Sequence, residues 1–320
     1  MSVDSMGKVY LVGAGPGNPN LLTKKAEKLI RAADVILYDR LVNPLILQYA
    51  PPHTEMIDVG KKPYFKHIQQ DEINMKMVQM AKKYHCVIRL KGGDPAIFGR
   101  VTEEITTLKA YGIEHEIVPG VTSASAAVAS LNTGLTMRSI VPSVTFSTGH
   151  FKDSSNRETD IRNLINGGTL AIYMGIKRLG HIIEQITAYT NEDYPIAIVF
   201  NATCYNQQVV TGYLSTIEET LSQTHFDGQP GICILGSLVK YIDQSNFNME
   251  KMAEDVMPTL YLIKGDKELA LRKAEELYEE GKQCLLDYDE QYHPSQQTIY
   301  QNLTNQYHIC LLYTSDAADE

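Results

Sequence analysis

The sequence has no C-x-x-C pair, no excess of basic residues and no apolar run approaching the roughly 18 residues that a membrane-spanning helix needs. Each absence removes a class of function. The five cysteines, Cys86, Cys204, Cys233, Cys284 and Cys310, are odd in number and widely spaced, which speaks against a disulfide framework and for reduced, mostly buried thiols. A formal net charge of -9 excludes general nucleic-acid binding, for which a basic face supplies most of the affinity. The nine histidines show no H-x-x-x-H or H-E-x-x-H spacing, so no metal is expected. Neither a G-x-S-x-G nucleophile elbow nor a G-x-x-x-x-G-K-[ST] phosphate loop occurs. The start, Met1 to Lys8, has no basic segment followed by an apolar stretch; a cytoplasmic location without membrane attachment is therefore expected.

What is present is the composition of a globular protein, 43% apolar and 21% charged, in a chain of 320 residues that allows two or three packed units. Val9-Tyr10-Leu11-Val12, Val35-Ile36-Leu37-Tyr38 and Val87-Ile88-Arg89-Leu90 read as strands. They alternate with a helix capped by Thr23 and a second from Asp71 to Lys83 with apolar residues at Ile73, Met77, Val78 and Met80, and alternation of this kind predicts a largely parallel sheet. Beyond Pro119-Gly120, a small-residue helix and the strands Val144–Ser147, Thr169–Met174, Ile196–Phe200 and Gly231–Gly236 form a second unit. The expected division is residues 7–119, 120–245, a polar linker at 246–257, and a partial β-α-β-α-β extension at 258–313; residues 314–320 bear no relation to the strand before them and read as a foreign tail.

Several loops invite chemistry. In Lys91-Gly92-Gly93-Asp94-Pro95 an apolar strand ends in two glycines and a carboxylate, so a ligand can approach bare main chain while Asp94 accepts hydrogen bonds from hydroxyl or ammonium groups. Gly13-Ala14-Gly15-Pro16-Gly17 follows the first strand, and Asp39 stands about 20 residues downstream, as in a dinucleotide-binding fingerprint. The third glycine of that fingerprint is replaced by Asn18, and Pro16 and Pro19 stiffen the loop, so a nucleotide site is disfavoured. Thr122 and Ser123 open a helix, where their hydroxyl and N–H groups either cap it or bind a polar ligand.

Together with Tyr38-Asp39-Arg40-Leu41, Phe98-Gly99-Arg100, Val118-Pro119-Gly120-Val121-Thr122-Ser123-Ala124 and Tyr173-Met174-Gly175, these loops resemble the tetrapyrrole methylases, in family order, from about Gly7 to about Asp243. The resemblance implies an α/β, two-domain tetrapyrrole methylase fold with the cofactor cleft between the domains, plus the partial C-terminal α/β segment. It implies S-adenosyl-L-methionine as methyl donor, contacted by Pro16, Gly92, Gly93, Asp94, Ile97, Thr122, Ser123, Met174 and Ala202. It assigns Asp39 as proton acceptor and Lys61 as proton donor, with Arg100 as a third catalytic group, and it turns Arg40, Glu103 and Arg138 toward a tetrapyrrole. Arginine suits that last task, since its planar fork can hold a propionate or acetate by two parallel hydrogen bonds.

The implied reaction is methylation of uroporphyrinogen III at C-2 and C-7 to precorrin-2, on the way to sirohaem or cobalamin, by a homodimer. Three departures stand out: Val101-Thr102 replaces a usual glycine pair, Met137 a usual histidine, and Ala202 a frequent glycine. Another cobalamin-pathway methylase and a non-catalytic tetrapyrrole- or S-adenosylmethionine-binding protein stay open as alternatives, and a nicotinamide-dependent oxidoreductase stands last. The extension shows no motif that identifies its role.

Overall fold

The computed structural model describes residues 6–60, 69–149, 157–223, 228–242, 258–288 and 291–314. The chain forms two compact units, one from the described residues of Met1–Thr122 and Val256–Glu320, the other from those of Ser123–Asp255. The C-terminal extension thus belongs to the same unit as the N-terminal third.

In the first unit, β1 (Lys8–Gly13), β2 (Val35–Tyr38), β3 (Glu55–Asp58), β4 (Cys86–Lys91) and β5 (His115–Val118) make a parallel sheet in the order β3-β2-β4-β1-β5. The central pair β4 and β1 is covered on both faces, which is why these strands read as near-continuous apolar runs. The edge strands β3 and β5 have four residues each and are rich in polar side chains, so they have no comparable sequence signature. Helix α1 (Lys24–Ile30) starts where the Thr23 hydroxyl accepts from the Ala26 N–H, and α2 (Pro44–Leu47) where Asn43 caps Leu45 with Pro44 in the first turn. Helix α3 (Gln70–Lys83) buries Ile73, Met77, Val78 and Met80 against Val9, Leu11, Val35, Leu37 and Val87 of the sheet and Leu108 of α4 (Val101–Ala110).

In the second unit, β6 (Val144–Thr148), β7 (Thr169–Tyr173), β8 (Pro195–Phe200), β9 (Gln208–Tyr213) and β10 (Gly231–Leu235) lie in the order β6-β7-β10-β8-β9. Only β6 and β7 are parallel neighbours, while β10 runs antiparallel to both β7 and β8, and β9 antiparallel to β8. Strand alternation sorts the side chains into two layers. Leu170, Ile172, Ile196, Ile198, Phe200, Cys233 and Leu235 face α6 (Arg157–Ile165) and α7 (Leu179–Tyr189). Ala171, Ala197, Val199, Ile232 and Ile234 pack with Ala124, Ala127 and Val128 of α5 (Ser123–Ser130), whose small residues let that helix lie close on the sheet. The α8 helix (Ile217–Ser222) follows the edge strand β9.

The extension folds as β11 (Thr259–Lys264), α9 (Lys267–Glu279), β12 (Gln283–Leu286), α10 (Pro294–Thr304) and β13 (His308–Tyr313), a parallel sheet in the order β12-β11-β13. Its attachment to the N-terminal part is polar and specific. The Gln48 amide at the end of α2 both donates to the Leu286 carbonyl (2.9 Å) and accepts from the Leu286 N–H (2.8 Å). The buried Gln296 Nε2 sits within 2.9, 3.1 and 2.8 Å of the carbonyls of Pro51, Pro52 and Thr54. Glu279 Oε1 accepts from Asn18 and from Asn20, each at 2.8 Å, so α9 ties down the loop that follows Pro16. Residues 246–257 and 315–320, read as linker and most of the tail, lie outside the described residues.

Lys267 opens α9, donates to the Ala50 carbonyl and is pushed down to about 8 by burial and the nearby Arg31. A depressed lysine makes stability rise with pH between its folded value of about 8 and its ordinary value of 10.5, because only the unfolded chain keeps the proton there. The thiols of Cys86 and Cys284, pushed up by burial, act in the opposite sense once their ordinary value of 9.0 is passed. The expected result is therefore a difference: urea midpoints of the first unit rise more steeply from pH 8 to pH 10.5 in the wild type than in Lys267→Met. Parallel curves would show that Lys267 does not titrate in that window.

Among the described residues, Cys233 and Cys284 are buried, Cys86, Cys204 and Cys310 are half-buried, and all five are free thiols. No helix there is long and apolar enough to cross a membrane, and no group of three His, Cys, Asp or Glu could hold a metal ion.

Candidate active site

At the carboxyl ends of β1, β4 and β5 the main chains converge until no side chain fits. A Cβ on Gly120 would stand 2.3 Å from the Gly93 carbonyl oxygen and 3.0 Å from Gly13 Cα, and one on Gly13 would stand 2.7 Å from Gly120 Cα and from the same oxygen. The loops after β1 and β4 exchange hydrogen bonds, Gly93 N–H to Gly15 O (2.7 Å) and Gly15 N–H to Gly93 O (3.2 Å). Asp94 is fixed by both oxygens, accepting from the Ala96 N–H (2.7 Å) and the Gly120 N–H (3.3 Å). Gly93 itself has φ +69 and nothing among the described residues within 4 Å of its Cβ position, so its outer face is bare backbone. Half-buried Pro16, Ile97 and Thr122 lie in these same loops.

Next to them, at the end of β2, Asp39 is paired not with the adjacent Arg40 but with Arg89 of β4, Nη2 to Oδ1 at 2.6 Å. Arg89 is 3% exposed and its Nε reaches Glu104 Oε1 of α4 (3.2 Å), which also takes the Lys91 ammonium (2.8 Å). Glu104 is fully buried, and its Oε2 has no hydrogen-bond partner among the described residues. Burial, with the Arg89 charge beside it, holds the Lys91 ammonium below its ordinary range. Two cations and two carboxylates thus make a chain running from the interior to Asp39, whose side chain is 30% exposed.

The remaining predicted residues of this unit are at the surface. Arg100 and Glu103 face each other as an exposed bidentate pair, Nε to Oε1 at 2.8 Å and Nη2 to Oε2 at 2.5 Å, and Glu103 holds the guanidinium above its ordinary range. Arg40 is exposed, next to Leu41, which is 60% exposed. Lys61 lies outside the described residues.

In the second unit, β7 and β8 both run antiparallel to β10, so their carboxyl ends flank the start of β10, where Tyr173 pairs Ile232 and Phe200 pairs Gly231. Met174 follows β7, 46% exposed with φ 55, and the Tyr173 hydroxyl beside it accepts from the Ala124 N–H in the first turn of α5, next to Ser123. Ala202, buried in the α5-side core, sits between Asn201 (φ 46) and Thr203 (φ 65). Ser123, Met174 and Ala202 are therefore gathered at one end of this sheet's central strands. Arg138 is exposed on the segment after α5, and it makes no ion pair among the described residues.

Of the seven described non-glycine residues with positive φ, Phe98, Arg100, Met174, Asn201 and Thr203 lie in or beside the predicted motifs. Such conformations cost about 1–3 kcal/mol each and persist where the surroundings enforce them, most often at functional sites.

Comparison with known proteins gives the same outline. Residues 8–218 match the family Tetrapyrrole (Corrin/Porphyrin) Methylases. The chain belongs to the tetrapyrrole methylase family. A relative of this methylase from Priestia megaterium, a uroporphyrinogen-III C-methyltransferase, is 44% identical over 238 residues, covering 74% of the chain and 100% of that protein. Another uroporphyrinogen-III C-methyltransferase, from Methanocaldococcus jannaschii, is 39% identical over 240 residues, covering 74% of the chain and 98% of that protein. Among solved structures, the uroporphyrin-III C-methyl transferase from Thermus thermophilus complexed with S-adenyl homocysteine superposes with a TM-score of 0.64 at 34% identity, covering 74% of the chain and all of that structure. The methylase therefore has the two sheets of its family plus a third, small parallel sheet.

Sequence reasoning passed over Arg89, Lys91 and Glu104. A signal was there: two cations at alternate positions of a strand that is otherwise apolar must either reach an edge or meet a buried anion. Which anion they meet depends on α4 packing over the sheet, and strand periodicity carries no record of that.

Proposed function

We propose that this methylase transfers two methyl groups from S-adenosylmethionine to uroporphyrinogen III, at C-2 and C-7, to give precorrin-2 and two molecules of S-adenosylhomocysteine. The observation that carries this reading is the 44% identity across the whole length of the Priestia relative. The methyl group on the donor's sulfonium is a good electrophile. As a pyrrole carbon bonds to it, the carbon–sulfur bond breaks, sulfur keeps the electron pair, and the alkylated ring then releases a proton.

The protein's share is positioning, charge and the fate of that proton. Gly92, Gly93, Asp94 and Ile97, with Pro16, Thr122, Ser123, Met174 and Ala202, are assigned to the donor. The Asp94 carboxylate, held in place by two backbone N–H groups, suits its ammonium, and the open face at Gly93 gives the donor room to approach the main chain. Arg40, Glu103 and Arg138 are assigned to the tetrapyrrole, the two arginines to its carboxylates, and Arg100 is assigned as a third catalytic group. Asp39 is assigned as proton acceptor, because it is a partly exposed carboxylate, whereas Glu103 holds Arg100 firmly in its cationic form. Lys61 is assigned as proton donor. A cytoplasmic homodimer belongs to the same proposal.

Incubation of the purified chain with uroporphyrinogen III and methyl-labelled S-adenosylmethionine tests it. A tetrapyrrole heavier by two methyl groups, labelled at C-2 and C-7, is expected. An unlabelled tetrapyrrole alongside an active control enzyme would overturn the assignment, and label at other ring positions would make the chain a different tetrapyrrole methylase.

A further inference from the structure

The most deeply placed charges of the first unit, Arg89, Lys91 and Glu104, were assigned no role of their own. Arg89 is pinned at each of its three nitrogens: Nε on Glu104 Oε1 (3.2 Å), Nη1 on the carbonyls of Leu90 (3.1 Å) and Leu37 (3.5 Å), and Nη2 on Asp39 Oδ1 (2.6 Å). A planar guanidinium held in this way cannot turn without leaving buried partners unpaired. The Glu104 carboxylate that anchors it is fully buried and is itself held by Lys91, with Gln70 Nε2 at 3.4 Å from the same oxygen. Stability alone is a poor reason to keep such a group, since well-packed apolar side chains of similar volume commonly serve as well or better. The chain of charges does have a direction. It starts at an anion without solvent access and ends at the one member that reaches the surface, Asp39.

We infer that Arg89, locked by Glu104 and Lys91, is a positioning residue that aims the Asp39 carboxylate at the proton to be removed. This rests on the reading of Asp39 as proton acceptor. Lys91 supplies the second cation that a buried Glu104 needs, so that the Arg89 charge stays available to Asp39.

A double-mutant cycle on turnover decides it. The wild type, Asp39→Asn, Arg89→Gln and the double variant are assayed for labelled tetrapyrrole, and S-adenosylhomocysteine binding is titrated by calorimetry as a measure of the intact fold. Arg89→Gln is expected to lower kcat by about 10²-fold, the scale of a small misplacement of a reacting group, with Kd changed by less than about two-fold. The double variant is expected to be no slower than Asp39→Asn alone, since a residue acting through Asp39 has nothing left to aim. Losses that multiply would show Arg89 acting independently of Asp39 and overturn the inference. Wild-type kcat in Asp39→Asn would instead sink the proton-acceptor reading, and the inference with it, an outcome distinct from multiplied losses with a slow Asp39→Asn. Should Arg89→Gln fail to fold, Glu104→Gln takes its place in the same cycle, keeping an acceptor for Arg89 Nε while removing the anchoring charge; the same criterion applies.

Discussion

Asp39→Asn is expected to lower turnover by about 10²–10⁴-fold, the usual worth of a positioned proton-transfer group, while S-adenosylhomocysteine still binds. Asparagine keeps an oxygen for the Arg89 Nη2 hydrogen bond, so the geometry around β2 and β4 survives, and what is lost is the negative charge and with it the basicity. Asp39→Ala is a harsher change. It removes the acceptor as well as the charge, and leaving a donor of the 3% exposed guanidinium unsatisfied costs about 1–3 kcal/mol or more. The two variants should therefore separate chemistry from stability: both are slow, but the alanine variant shifts the urea midpoint further than the asparagine variant does. Full turnover in Asp39→Asn, measured with labelled donor, would remove Asp39 from the chemistry.

The second large effect is steric. In Gly120→Ala the new methyl group meets the Gly93 carbonyl oxygen at 2.3 Å, with Gly13 Cα at 3.0 Å, and both neighbours are backbone. No rotamer can move aside, so the loops after β1, β4 and β5 must separate. The cost is expected at the upper end of the roughly 1–3 kcal/mol typical of overpacking, or beyond it. Separation would also stretch the Gly120 N–H to Asp94 bond, already 3.3 Å, so donor affinity should fall together with stability. Gly93→Ala is the control, because its Cβ has open space but its φ of +69 imposes about 1–2 kcal/mol of left-handed strain. Urea denaturation should show Gly120→Ala the less stable of the two, and calorimetry should show weaker donor binding in Gly120→Ala than in the wild type; equal loss of stability in the two variants would mean that conformation, not the crossing of main chains, sets the need for glycine there.

Much of the site was legible because its motifs sit where strands end. The run Val9–Val12 stops at Gly13, and Val87–Lys91, apolar but for Arg89 and Lys91, stops at Gly92, so the positions of the Gly13 and Gly92 loops followed from pattern alone. Edge strands were harder. Glu55–Asp58, His115–Val118 and Gln208–Tyr213 are half-solvated and pair on one side only, and their residues satisfy no period strongly enough to be distinguished from loop. The parallel pattern of the first sheet followed from alternating strands and helices, but the antiparallel insertion of β10 between β7 and β8 had no such marker, because its partners lie far away in sequence.

By itself the sequence determined the family, the order of the loops and the chemistry that each can offer, since these depend on residue types at fixed spacing along one strand or turn. The tertiary structure alone decided that Asp39 answers to Arg89 and not to Arg40, that Gly13, Gly93 and Gly120 crowd one another, and that the extension grips the Asn18–Asn20 loop through Glu279. The physical reason is the range of the interactions. Periodicity and turn propensity act over a few neighbouring residues, whereas a buried charge or a main-chain crossing takes its partner from whichever strand or helix the packing of the whole unit sets beside it.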